Sequence, residues 1–124
     1  MVEPSERNYN LEERTAMFGV KSIEFCRSLV QDVITKPLIT QYIRSSTSIG
    51  ANYMEAINAS SKKDFTNKIY ICKKEAQESK HWLRMLAKCF PDRISEINII
   101  SQEAQELTLI FQKIVTTSRG KINN

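Results

Sequence analysis

The chain is poor in the residues that make tight turns, disulfide frameworks and metal centres. Its 124 residues include three glycines, three prolines, three cysteines and one histidine. So few turn-forming residues exclude a β-rich fold with many hairpins and favour a chain of long helices. Because no CxxC pair or Cys/His cluster occurs, we expect no zinc site, and no glycine-rich loop is present to hold a phosphate.

The cysteines and the N-terminal residues together predict a cytoplasmic protein. Cys26, Cys72 and Cys89 are odd in number, and each falls on or beside an apolar helical stripe, which is typical of buried thiols in a reducing compartment. Residues 1–10 are polar and contain no apolar signal region, and no apolar run is long enough to span a bilayer. We therefore expect no membrane interaction.

Composition indicates one globular domain with a mild positive charge. Hydrophobic residues make up 41% of the chain and charged residues 26%, which is ordinary for a folded domain of this length. The net charge of +4 and the isoelectric point near 9.0 permit binding to nucleic acid or to an acidic partner. They are equally compatible with a charge that serves solubility alone.

Apolar spacing predicts two helices in the first half of the chain. Asn10, with Glu13 three residues later, forms a capping pattern, and apolar residues then recur at three- and four-residue steps to about Ile34. Pro37 ends this helix and suits the first turn of the next one. The second helix carries Gly50 on its apolar seam, which indicates close approach of a neighbouring helix.

The second half of the chain predicts two further helices. Ser61, with Asp64 three residues on, marks the start of the third helix, and the fourth runs to a stop at Gly120. Four helices with short links predict an all-α, up-down-up-down four-helix bundle. We expect the bundle domain to span residues 10–119, between a flexible N-terminal lead at 1–9 and a C-terminal tail at 120–124.

The predicted third helix is apolar over more than half its circumference, because a second row lies beside its main seam: Ile71, Trp82, Met85 and Cys89. The carboxylates Glu75 and Glu78 fall within this wide arc, close to Trp82. One interpretation places them at the edge of the bundle. The other places them in a subunit interface, where Arg44 pairs with them.

Basic side chains form a stripe on the same helix, with further cations at its first turn. The candidate nucleic-acid contacts are Lys62, Lys63, Lys73, Lys80, Arg84 and Lys88. Such a stripe contacts phosphates without reading sequence. A solvated helix face that only keeps the protein soluble is the alternative interpretation.

Catalysis has little support in the residues. Glu78 and His81 match the Glu-x-x-His motif of di-iron bundles once, and Glu75 lies one turn away, but no second copy of the motif occurs. The single histidine has no serine or cysteine partner to activate. We therefore expect a non-enzyme without catalytic residues, metal or cofactor, and a metal-dependent bundle enzyme is the minor alternative.

Two motifs together resemble a known family. They read Arg44-x-Ser46-x-Ser48-Ile49-Gly50-x-Asn52-x-x-Glu55 and Lys74-Glu75-Ala76-x-Glu78-x-x-x-Trp82-Leu83. This pattern is similar to that of the four-helix bundle proteins called 23S rRNA intervening-sequence proteins, and the similarity covers almost the whole chain. The chain departs from the family pattern at Ala56, Ser79 and His81, where glycine, threonine and an aromatic residue are common.

The resemblance implies a small bacterial, non-enzymatic bundle, related to the accessory variability proteins of diversity-generating retroelements. Those proteins form pentameric barrels that bind nucleic acid and a reverse transcriptase through a basic surface. The implied partners are therefore further copies of the chain in a homopentameric ring, RNA or DNA, and a reverse transcriptase or other protein. The signature residues, which we assign to packing and subunit contacts, are Arg44, Ser48, Asn52, Glu55, Glu75, Glu78 and Trp82. A protein–protein adaptor or scaffold with no nucleic-acid role is the alternative function.

Overall fold

The computed structural model describes residues 10–123, with side chains described from residue 10 to residue 120. All regular structure in this part of the chain is helical, which confirms the predicted all-α bundle. The helices are α1 (Leu11–Arg27), α2 (Thr35–Ile57), α3 (Lys62–Cys89) and α4 (Ile94–Asn123), with a short 3₁₀ helix at Pro91–Arg93 before α4. The predicted lead at residues 1–9 lies outside the described residues.

Side-chain pairs show that consecutive helices run antiparallel. Between α2 and α3, Ser45 pairs with Ser79 and Glu55 pairs with Lys68, so residue numbers rise on one helix as they fall on the other. Between α1 and α2, Ser22 pairs with Tyr42 and Thr15 lies against Gly50, and between α3 and α4, Lys73 pairs with Gln112 and Thr66 with Ser118, so both follow the same rule. Short connections place each helix beside the previous one, as in an up-down-up-down bundle.

The start of α3 confirms its predicted cap. The Ser61 hydroxyl accepts a hydrogen bond from the backbone N–H of Asp64 at 3.0 Å, which satisfies one of the free donors of the first turn. Pro37 also lies in the first turn of α2, as predicted.

The predicted end of α1 is wrong. The helix ends at Arg27 rather than near Ile34, because the Asp32 carboxylate accepts hydrogen bonds from the backbone N–H groups of Ile34 and Thr35, both at 2.9 Å. These bonds hold the connecting segment in a turn that begins α2. Val33, which the helical pattern placed on the apolar face, is consequently 87% exposed.

The two outer ends of the bundle also differ from the predictions. Asn10 precedes α1, but its backbone is left-handed (φ 46°) and its side chain makes no capping hydrogen bond, so the predicted cap there is wrong. At the other end, α4 continues past Gly120 to Asn123. A glycine inside a helix is tolerated at a cost of up to about 1 kcal/mol, so its presence alone does not stop the helix.

The core consists of two apolar clusters with a polar layer between them. One cluster contains Phe111 and Ile69, and the other contains Leu83 and Leu86. Between them lie fully buried hydroxyl groups, among them those of Ser22, Tyr42, Ser45 and Ser79. Ser22 and Tyr42 hydrogen-bond at 2.6 Å, and Ser45 and Ser79 at 2.9 Å, so the layer is internally satisfied.

Gly50 brings α1 and α2 close together, as its position on the seam predicted. A side-chain carbon at Gly50 would lie 3.4 Å from the carbonyl oxygen of Thr15. In contrast, α1 and α4 pack less extensively than the other neighbouring helices and leave between them a groove of about 660 Å³. None of the helices in the described part of the chain has an apolar stretch of the length that a membrane crossing needs.

Candidate nucleic-acid interface

The predicted basic stripe forms the outer surface of α3 and its border with α4. Lys62, Lys63, Arg84 and Lys88 are exposed, and Lys73 and Lys80 are half-buried. The half-buried pair lies against α4, where Lys73 Nζ donates a hydrogen bond to Gln112 Oε1 at 2.7 Å and Lys80 Nζ donates one to Gln105 Oε1. All six predicted contacts therefore lie along one surface.

Carboxylates are segregated from this surface. At about 100° per residue, the three acids of α3, which are Asp64, Glu75 and Glu78, lie on the side that faces α2. The acids of α4 face α1. There Glu103 and Glu106 both pair with Arg14, at 2.6 and 3.4 Å.

Further cations, which are not among the six predicted contacts, extend the surface. Lys74 lies on the exposed side of α3, and Arg119 of α4 reaches across to the ring of Tyr70 on α3 at 5.2 Å. Helical spacing alone places Lys74 beside Lys63 and Lys88. No pattern along the chain could place Arg119, because its position depends on how α4 packs against α3.

We refer to the combined surface as the basic face. Its members are Lys62, Lys63, Tyr70, Lys73, Lys74, Lys80, Arg84, Lys88 and Arg119. Among the described residues, no carboxylate forms a salt bridge with any of its cations. Lys68, which lies on the opposite side of α3, does pair with Glu55 at 2.8 Å.

Four of the predicted interface residues meet at the seam between α2 and α3 of one chain. Arg44 binds Glu75 with both ends of its guanidinium group, at 3.0 and 3.2 Å, and binds Glu78 at 2.6 Å. Trp82 Nε1 donates to the same Glu78 oxygen at 3.3 Å. We predicted that Arg44 pairs with Glu75 or Glu78 in a subunit interface, and the structure shows it paired with both carboxylates within one chain.

This network joins two carboxylates to one guanidinium group and is partly shielded from solvent. Only 12% of the Glu75 side chain is exposed. Burial opposes ionisation of Glu78, but the hydrogen bonds from Arg44 and Trp82 outweigh it and hold the pKa of that carboxyl below its usual value. The hydrogen bonds that Arg44 donates to Glu75 and Glu78 raise the pKa of its guanidinium group, so Arg44 is charged at neutral pH.

The other three predicted interface residues follow α2 away from the network. Ser48 donates to the Arg44 carbonyl at 2.6 Å, and Asn52 donates to the Ser48 carbonyl at 2.9 Å. Glu55 pairs with Lys68 of α3. Glu55 therefore joins the α2–α3 seam, whereas Ser48 and Asn52 bond to the backbone of α2 itself, and the role of all seven residues between subunits stays a prediction.

The three residues that would hold a metal ion in the alternative hypothesis of a metal-dependent enzyme make other contacts. Glu75 and Glu78 both bind Arg44, and the His81 ring packs edge-on against Trp82 with 4.9 Å between ring centroids. Within the described residues, no three His, Cys, Asp or Glu side chains come together in a group that could hold a metal ion.

The cysteines are free and occupy the apolar positions that their spacing predicted. Cys26 and Cys72 are buried, and Cys89 is half-buried. Burial raises the pKa of both Cys26 and Cys72 to about 12, so these thiols are protonated at neutral pH and poor nucleophiles.

Comparisons with a solved structure and with a family model agree with the family resemblance of the two motifs. A solved structure from Bacteroides thetaiotaomicron VPI-5482, a protein of unknown function from the S23 ribosomal protein family, superimposes with a TM-score of 0.76 at 30% sequence identity, covering 85% of this chain and 97% of that one. No curated protein matches the chain at a significant level. The family model described as 23S rRNA-intervening sequence protein matches residues 7–113. This match includes both signature motifs and nearly the whole bundle, and the chain therefore belongs to the 23S rRNA-intervening sequence protein family.

Proposed function

We propose that this protein is a non-enzymatic, oligomeric accessory factor that binds RNA or DNA through its basic face. The observation that carries the proposal is the segregation of charge on α3. Its outward cations have no carboxylate among them, whereas its acids are all on the α2 side.

Charge segregation favours phosphate binding over a surface that only confers solubility. A solvated helix face commonly intersperses the two signs, since Glu and Lys one turn apart stabilise the helix. Here Glu75 and Glu78 of α3 pair with Arg44, and Glu103 and Glu106 of α4 pair with Arg14, on the far sides of those helices. The cations of the basic face, which pair with no carboxylate among the described residues, are thus available to an external anion.

The dimensions of the face suit a nucleic-acid backbone. Lys62 and Lys88 lie at opposite ends of α3, and at 1.5 Å per residue they are separated by roughly 40 Å along the helix axis. Several consecutive phosphates fall within that length. Lysine and arginine contacts to phosphates position a nucleic acid without specifying its sequence, so we expect binding of many sequences with similar affinity.

Assembly would strengthen this binding. We propose that the partly exposed side of the α2–α3 seam contacts another copy, in the pentameric ring that the resemblance implies. Arg44 and Glu78 there are 46% and 39% exposed in their side chains, and Trp82 is half-buried. The seam and the basic face lie on different sides of α3, so a ring could repeat the basic face and its contacts would act together.

Binding at several salt concentrations tests the proposal. The variant with Lys63→Gln, Arg84→Gln and Lys88→Gln removes three exposed cations from the basic face. The matched control with Lys21→Gln, Arg27→Gln and Lys36→Gln removes the same charge from exposed positions on α1 and α2. Mixed-sequence RNA and DNA should bind the unmodified protein and the control alike, with affinity that falls as salt rises.

We expect the basic-face variant to bind more weakly and to reduce the slope of log affinity against log salt by roughly two, at about 0.7 for each phosphate contact on a single strand. Equal loss in both triple variants would mean that only net charge matters. A slope near zero for the unmodified protein would reject phosphate contacts. That result would favour the competing proposal, a protein partner such as a reverse transcriptase on the same face.

A further inference from the structure

Tyr70 lies in the middle of the basic face with its ring among three cations. Tyr70 is 36% exposed. Lys73 Nζ lies 4.9 Å from the ring centroid, the guanidinium carbon of Arg119 lies 5.2 Å from it, and Lys74 Nζ lies 5.9 Å from it. Two helices therefore converge on one exposed aromatic ring.

The cations differ in how firmly they are held. Lys73 is tied to Gln112 by a hydrogen bond of 2.7 Å, which keeps one positive charge beside the ring. Lys74 and Arg119 are exposed, and no carboxylate among the described residues pairs with either of them. Their contact with the ring is weak at an exposed site, so a ligand can displace them at low cost.

An exposed aromatic ring among several cations is a combination that binds single-stranded nucleic acid. An unpaired base stacks on the ring, and the flanking phosphates bind the cations. The bases of a duplex are already stacked on one another, so a single ring on the protein surface contributes little to duplex binding. The position of Tyr70 among the cations therefore favours a single strand over a duplex.

We infer that the basic face binds single-stranded nucleic acid, with one base stacked on Tyr70 and the adjacent phosphates on Lys73, Lys74 and Arg119. This inference rests on the proposed function and names its ligand class. The chain offers further cations in both directions from the ring. Lys62 and Lys63 lie roughly 10 Å towards one end of α3, and Arg84 and Lys88 lie roughly 20–27 Å towards the other.

Two substitutions of Tyr70 separate stacking from charge. Tyr70→Leu removes the aromatic ring and leaves every charge in place, and Tyr70→Phe keeps the ring. The binding probe is a labelled oligonucleotide of about 15 nucleotides, single-stranded or annealed to its complement, prepared both as RNA and as DNA. Thermal unfolding of each variant checks that the bundle is intact.

We expect Tyr70→Leu to weaken single-strand binding by roughly ten- to a hundredfold and duplex binding by about twofold or less. The salt slope should stay unchanged, and Tyr70→Phe should restore single-strand affinity. Arg119→Gln should also weaken single-strand binding more than Lys113→Gln, which removes the same charge from an exposed position of α4 that does not contact the ring.

The failure of this inference can be distinguished from the failure of the proposed function. Salt-dependent binding that Tyr70→Leu leaves unchanged, or reduces equally for duplex and single strand, overturns the stacking site and leaves the phosphate-binding face standing. Absence of salt-dependent binding by the unmodified protein overturns both. Preferential loss with RNA alone or DNA alone supports the site and identifies which single strand it takes.

Discussion

At the scale of single residues, Arg44 organises the α2–α3 seam. Its guanidinium group holds Glu75 and Glu78 at the α2–α3 seam, and Glu78 in turn accepts from Trp82. A planar fork suits this geometry better than the point charge of lysine. By pairing with both acids, Arg44 offsets part of the negative charge on the side of α3 that faces away from the basic face.

The lowered pKa of Glu78 makes part of the stability depend on pH. The contribution is present above the unfolded-state pKa, near 4.5, and is lost as the pH falls through the folded-state pKa below it. We expect Glu78→Gln to lower the free energy of unfolding by about 0.5 kcal/mol at neutral pH, since this pair is partly exposed. The difference from the unmodified protein should shrink as the pH falls below 4.5.

Urea unfolding at a series of pH values measures this effect. Glu24→Gln removes the same charge from an exposed position on α1 and serves as the control. A Glu78→Gln difference that persists unchanged at low pH would show that the carboxylate is not the source of the stabilisation.

At the scale of elements, α1 shows that a short polar motif can end a helix although the helical spacing of apolar residues continues beyond it. The three- and four-residue steps continue through Leu29 to Val33, yet only Leu29 is buried, at 6% exposure. Asp32 and Thr35 bind the backbone of the connection more favourably than a helix would. Thr35 Oγ1 accepts from the Asp32 N–H at 3.0 Å and donates to the Val30 carbonyl at 3.1 Å.

Removing the Asp32 carboxylate should weaken the start of α2. We expect Asp32→Ala to reduce the free energy of unfolding, because two backbone N–H groups lose their acceptor. Asp32→Asn keeps an acceptor oxygen and should retain most of the stability. Chemical denaturation of both variants tests this, and equal losses would assign the effect to charge rather than to the hydrogen bonds.

At the scale of the whole molecule, the bundle has three distinct surfaces. The basic face spans α3 and the edge of α4, and the α2–α3 seam carries the Arg44 network. The groove between α1 and α4 lies beside exposed apolar side chains such as Met17, Val20 and Ile99. Their separation would allow one copy to contact nucleic acid and another copy at the same time.

Sedimentation tests which surface joins the copies. We expect an oligomer at micromolar concentration, weakened by Trp82→Ala and unaffected by Arg84→Gln on the basic face. Thermal unfolding must accompany the Trp82 variant, since that side chain also packs against the core. If Val20→Asp dissociates the oligomer instead, the contact between copies lies on α1. If the unmodified protein is a monomer, the proposed assembly is wrong.

The sequence alone determined the number and order of the helices, the capping serine of α3, the apolar seams and the cations of α3. These follow from local rules, because helical periodicity and capping depend on residues within a few positions of one another. It also predicted pairing of Arg44 with Glu75 or Glu78, since charge and angular position were visible in the pattern.

Only the tertiary structure decided where those surfaces lie relative to each other. It placed Arg119 of α4 against Tyr70 of α3, it made the Arg44 network within one chain, and it ended α1 at Arg27. The first two join residues more than thirty positions apart, and their contact depends on how whole helices pack. The third is a competition between two local structures, which the folded backbone resolves in favour of the Asp32 turn.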